Sequence, residues 1–209
     1  MKKTLVTVVV AGAALAAAAQ AAAPSLTLAA SAPSVQYTKP VTLSGALSTK
    51  KSNQQITIQA QECGKTTFGR VANVKTTTNG AYSVAATPVV ITVYQAKWKS
   101  TLSPKVTVSV KPLVQLVKVA RGSYTAKVTA GLDLKGKTVL FQRFSRLRHR
   151  WVQVKKVVLT TSTPGTKPTV VASASFKAKA PRRARVRLLL SKKQAAPCYL
   201  SAASKSLRA

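Results

Sequence analysis

Beyond residue 24 the chain alternates apolar and polar positions in short runs separated by turn formers. "QITIQAQ", "AYSVAAT", "VVITVYQAKW" and "SPKVTVSVKP" have the period of two that places one face of a strand against a core. "TKKSN", "TNG" and "STLSP" carry the residues that favour turns between such runs. No sustained 3.6-residue period follows residue 24. The pattern predicts strands over residues 25–29, 40–46, 55–62, 68–77, 81–86, 89–97 and 104–111. A second set is predicted over 113–119, 123–130, 137–144, 150–159, 170–178, 184–191 and 201–208.

The two sets correspond. An offset of 83 residues carries Ile56 onto Val139, Ile58 onto Phe141, Gln59 onto Gln142, Phe68 onto Trp151 and Val74 onto Val157, without a gap. The motif "SGAL" (44–47) lines up with "AGLD" (130–133) after a small gap. A duplicated domain is the reading this supports, with the boundary at Lys111-Pro112, since proline stops a strand ladder. The expected organisation is all-β. Two tandem immunoglobulin-like β-sandwich domains, residues 24–112 and 113–209, follow an N-terminal signal peptide at residues 1–21. Alternation turns Ile56, Ile58, Val106, Val108 and Val110 inward in the first half. In the second it turns Val139, Phe141, Val186, Leu188 and Leu190 inward.

The run "SG…ITIQAQ…F…V…TTTNGAYSVAATP…TVYQAKW…S…VTVSVKP" resembles the immunoglobulin-like repeats of secreted bacterial proteins, especially those of GC-rich Gram-positive lineages. "GKTVLFQR…RWVQVKKVVLT" is similar to their second repeat, and the likeness covers most of residues 25–209. It implies a non-enzymatic extracellular module with a structural or adhesive role. It brings no catalytic or binding residues. The connection "LSKKQAAPCYL" departs from the first half.

The N-terminus changes the setting. Lys2 and Lys3 precede an apolar segment from Thr4 to Ala19, and Ala19-Gln20-Ala21 offers small residues at a cleavage site. Cleavage after Ala21 is expected; cleavage after Ala23 and retention as an anchor are the alternatives. No later segment has the apolar length of a membrane span, so none is expected once the signal is removed.

Charge changes it further. The chain carries 34 Lys and Arg against two acids, Glu62 and Asp133, for a formal net charge of +32. With so few carboxylates and a single histidine, His149, the chain lacks the acid–base pairs of most active sites and the oxygen ligands of hard cations. An enzyme is not expected, nor a cofactor. His149 stands between Arg148 and Arg150 and reads as an exposed loop residue.

Residues 24–112 hold 10 Lys and Arg with one acid, and residues 113–209 hold 22 with one acid. Arg70 is the one arginine of the first span. In a seven-strand sandwich the turns carrying Arg121, then Arg146, Arg148 and Arg150, then Arg182 and Arg183 share the end remote from the first domain. Arg185 and Arg187 occupy outward positions of the adjacent strand. These eight arginines are the candidate anion-binding residues, because guanidinium groups bind phosphate and carboxylate through paired hydrogen bonds. Export makes an anionic cell-wall polymer or acidic polysaccharide the nearer partner, with envelope association. Nucleic acid is the alternative, and scarce aromatics leave no evident stacking platform.

Cys63 and Cys198 are the two cysteines. The same topology sends both to the domain junction, so an interdomain disulfide is expected, with two free thiols as the alternative. No paired Cys/His spacing suggests zinc.

Overall fold

The computed structural model describes residues 23–209. The signal segment read at residues 1–21 lies outside the described residues.

The first span forms β1 (Ala29–Ala30), β2 (Ser34–Gln36), β3 (Val41–Ala46), β4 (Gln55–Glu62), β5 (Gly69–Lys75), β6 (Ala81–Ala86), β7 (Thr92–Trp98), β8 (Thr101–Leu102) and β9 (Val106–Lys111). One sheet has the order β1-β3-β6 and the other β2-β9-β7-β4-β5, with β8 added beside β7. Leu43 and Tyr82 of the first sheet, with Leu26 just before β1, meet Ile56, Ile58, Tyr94 and Val108 of the second in one core. Pro33 lies between β1 and β2. There the chain leaves one sheet and joins the other, where β2 runs parallel to β9.

The second span forms β10 (Leu113–Ala120), β11 (Ser123–Ala130), β12 (Thr138–Ser145), β13 (Arg150–Val158), β14 (Thr161–Pro164), β15 (Val170–Lys177), β16 (Arg185–Leu190), a one-turn helix α1 (Lys192–Ala195), β17 (Ala202–Ala203) and β18 (Leu207–Arg208). Its sheets have the orders β10-β11-β15-β14 and β13-β12-β16-β17, with β18 also paired to β16. Two facing sheets in each span, antiparallel except where β2 joins β9, define an all-β, immunoglobulin-like architecture.

β12 lies at the 83-residue offset from β4, residue for residue. The ladder to the following strand is bulged between Ile58 and Gln59 in one case and between Phe141 and Gln142 in the other. The inward set is buried as alternation requires, except that Val106 is only half-buried.

Three expectations about strands need correction. The strands expected at 68–77 and 150–159 were placed fourth in a seven-strand order, where they would pair with the strand that follows. They pair instead with β4 and β12, on the opposite sheet. In the second span the strand paired to β15 is β14, a "TSTP" stretch too short and polar to signal a strand. In the first span no described strand takes that place beside β6. The strand expected from residue 89 begins at Thr92.

Gly45, in the "SGAL" motif, shows how tightly the first sheet is closed. A Cβ there would run into the Thr27 carbonyl oxygen and lie 2.5 Å from the Tyr82 hydroxyl. That hydroxyl donates to the same carbonyl. Gly45→Ala is therefore expected to cost about 1–3 kcal/mol, the usual range for overpacking. Urea denaturation checks this; an unchanged midpoint would show that the strand has room to shift.

Candidate functional site

Chain direction decides what gathers at each end of the second sandwich. β10 runs away from the first sandwich to Ala120, β12 runs the same way to Ser145, and β15 to Lys177. Their three following turns carry Arg121, the Arg146–Arg150 tip, and Arg182 with Arg183. Arg146, Arg182, Arg183 and Arg185 line one surface depression of about 610 Å³ together with Arg143. Arg121 and Arg182 line a neighbouring one of about 510 Å³ together with Lys118. Arg182 thus joins the two.

Arg148 and Arg150 are exposed on the hairpin tip but line neither depression. The Arg148 amide donates to Ser145 Oγ at 3.3 Å, and Arg150 pairs with Ser145 at the end of the ladder. His149 closes the tip with a φ of 46° in the left-handed region, where histidine is among the more tolerant residues. Leu147, 91 % exposed, projects from the same tip.

Arg185 and Arg187 lie on the outer face of their sheet and meet aromatic rings. The Arg187 guanidinium stands 4.2 Å from the Trp151 ring centre, and Nε donates to Gln142 Oε1 at 2.9 Å. Burial lowers its pKa. Arg185 lies 5.6 Å from Phe144 and 5.9 Å from Trp151, and these two rings are packed edge to face at 5.4 Å. Arg187 is therefore largely engaged within the fold, whereas Arg185 remains exposed and also lines the depression.

Arg143 is a site residue that sequence reasoning missed. It sits inside strand β12, and only the convergence of that strand's end with the turn at 181–184 brings it to the depression. The signal available in sequence was its position three residues before the Arg146–Arg150 tip.

Neither carboxylate reaches this pole. Glu62 pairs with Lys65 at 2.7 Å at the end of β4, and Asp133 accepts from the Lys135 amide at 2.8 Å in the turn before β12. Both lie near the junction between the sandwiches, at the opposite end of the second sandwich. The guanidinium groups of the pole repel one another with no acidic side chain among them, and an anion placed there would offset that repulsion.

The junction is the second feature. Cys63, just after β4, and Cys198, after α1, form a disulfide with Cα atoms 5.4 Å apart. Around it the Ile91 amide donates to the Cys198 carbonyl at 3.0 Å and the Leu200 amide to the Val110 carbonyl at 2.9 Å. The Leu132 amide donates to Tyr199 Oη at 2.9 Å, and burial pushes that phenol up to about 12. Tyr37, Val90 and Val110 of the first sandwich pack into the core of the second. The "LSKKQAAPCYL" segment, which has no counterpart in the first half, is what delivers Cys198 and Tyr199 here. Disulfides persist in oxidising compartments, which accords with an extracellular setting.

Among the described residues no group of three His, Cys, Asp or Glu is placed to hold a metal ion. None of the described helices is long and apolar enough to cross a membrane.

No protein-family model matches the chain, and no curated protein is similar to it. Among solved structures, a marsupial T cell receptor aligns over 90 % of this chain and all of its own, at 9 % identity and a TM-score of 0.34. A second structure of a marsupial T cell receptor aligns over 88 % at the same identity and score. At that level of overlap the fold assignment rests on the sheet orders above.

Proposed function

We propose that this protein is an exported, non-enzymatic structural or adhesive module that holds anionic envelope polymer at the arginine pole of its second sandwich. The observation that carries this reading is the meeting of Arg143, Arg146, Arg182, Arg183 and Arg185 around one depression with no Asp or Glu side chain beside them. Guanidinium groups from two separate turns and two strands would engage phosphate or carboxylate groups spaced along a chain. Export rests on the apolar segment of residues 4–19, and the Cys63–Cys198 bond is in keeping with it.

The test is binding of linear polyphosphate and of double-stranded DNA over a salt series at matched ionic strength. The triple variant Arg146→Gln/Arg182→Gln/Arg183→Gln is expected to weaken polyphosphate binding. It should also reduce the slope of log affinity against log salt by about 3, close to one per lost contact. Its thermal stability should hold or rise, because like charges are removed. An unchanged slope would mean that binding is spread over the whole surface, and the reading would fail. Retention on DNA alone would replace it with the nucleic-acid alternative.

A further inference from the structure

Sheet edges invite pairing with other chains, and proteins protect them by keeping them short or by placing charges, proline or bulges on them. Most edges of this molecule carry such protection. β1 and β17 have two residues each, and β2 has three. β5 carries Arg70 and Lys75, β10 carries Lys118, β13 carries Arg150, Lys155 and Lys156, and β14 ends in Pro164. β6 is the exception among the described strands. Its six residues, "AYSVAA", include no charge and no proline.

The edge has a free ladder. The Leu47 amide donates to the Gly80 carbonyl. In the register of β3 and β6 that bond puts Tyr82, Val84 and Ala86 in hydrogen-bonded pairs with β3. The amides and carbonyls of Ser83 and Ala85 therefore point away from the sheet, and among the described residues none is bonded to another backbone group. Below them an apolar cleft of about 600 Å³ opens between β5 and β6. Core residues Leu43, Ile58 and Tyr94 form its floor, and Val71 and Leu132, 53 % and 45 % exposed, stand at its mouth.

The second sandwich shows what closes this position. There β14 lies along β15, the Ser173 carbonyl accepts from the Thr160 amide at 2.9 Å, and the inward Ala172 and Ala174 are buried. In the first sandwich the inward Val84 and Ala86 stay half-buried, with no described strand alongside.

We infer that the β6 edge accepts an extended segment of another protein, which adds as a fourth strand and sets alternate small apolar side chains into the cleft. Charge decides what kind of segment. Two copies of this chain, each with 34 basic residues and two acids, repel one another across a shared edge. Lys75 lies beside Ala81–Ser83 at one end of the edge and supplies its local positive charge, while at the other end Lys65 is neutralised by Glu62. An acidic segment fits both the local and the overall charge.

The probe is a synthetic peptide of alternating valine and threonine, matching the six residues of β6 and flanked by aspartates. The control is the same peptide with its central threonines replaced by proline, which removes backbone donors. Amide hydrogen exchange at Ser83 and Ala85 is expected to slow by about tenfold or more with the peptide and to stay unchanged with the control. Ala85→Pro removes only an amide that points away from the sheet, so it should leave the melting temperature intact and abolish binding. Val71→Asp, at the mouth of the cleft, should repel the acidic segment and weaken binding. Equal binding of peptide and control would overturn the inference, as would unchanged exchange at both amides or a dimer by sedimentation.

Discussion

Removing the Cys63–Cys198 bond is expected to lower the stability of the protein by about 3–5 kcal/mol. The bond spans 135 residues of sequence. In the chain-entropy account, a closed loop of that length restricts the unfolded ensemble by about 5 kcal/mol at room temperature, and native-state adjustment lowers the effective figure. Two features keep that loss from being recovered elsewhere. The loop contains most strands of both sandwiches, so no short segment can fold around the missing link. Cys198 is also buried against the second core, and its carbonyl holds the Ile91 amide. Losing the bond loosens that backbone contact as well. Guanidinium denaturation of the oxidised protein, the thiol-reduced protein and the Cys63→Ser/Cys198→Ser variant measures the effect. Agreement between the last two assigns the loss to the bond rather than to serine in a packed site. A loss below about 1 kcal/mol would mean that the hydrogen bonds and apolar contacts of the junction suffice by themselves.

The same junction shows which parts of the molecule were legible in the sequence. Alternation found the strands that face a core on one side, and β4, β6 and β12 match its bounds closely, because a half-buried strand writes its geometry into every second residue. It could not assign strands to sheets. The period of two is identical whether β5 pairs with β4 or with β6, and only hydrogen bonding settles that. Strands β2 and β14 escaped notice for another reason: at three and four residues they are too short to show a period.

The arginine pole was legible as charge, and its chain-end placement followed from counting strand directions. Its composition was not. Arg143 enters through the close of two turns, and Arg187 is drawn out of the set by Trp151 and Gln142. Both outcomes depend on which residues lie opposite one another across β12, β13 and β16, and that register is tertiary information. The bulge between Phe141 and Gln142 contributes, because it buries two consecutive residues where alternation would bury one.

That bulge frames the second large effect. Phe141→Ala is expected to destabilise the second sandwich by about 3–5 kcal/mol, the range for truncating a fully buried aromatic. Phe141 is fully buried, with its ring centre 5.0 Å from Tyr124 and 5.3 Å from Phe176, which are themselves 5.7 Å apart. Removing the central ring of three leaves a void that the others cannot fill from a close-packed sheet. Ile58, at the 83-residue offset, supplies the comparison. It is equally inaccessible, but it forms part of the floor of the cleft beside β6. Truncation there extends an existing opening rather than creating a sealed cavity, so the cavity contribution is smaller. Ile58→Ala should cost about 2–3 kcal/mol, at the low end for such a change. Phe141→Leu, which keeps most of the volume, separates loss of volume from loss of ring contacts, and should cost less than half as much as Phe141→Ala. Urea midpoints of the three variants order the effects. An Ile58→Ala cost equal to that of Phe141→Ala would mean that the cleft closes in solution and that the first sandwich packs as tightly as the second.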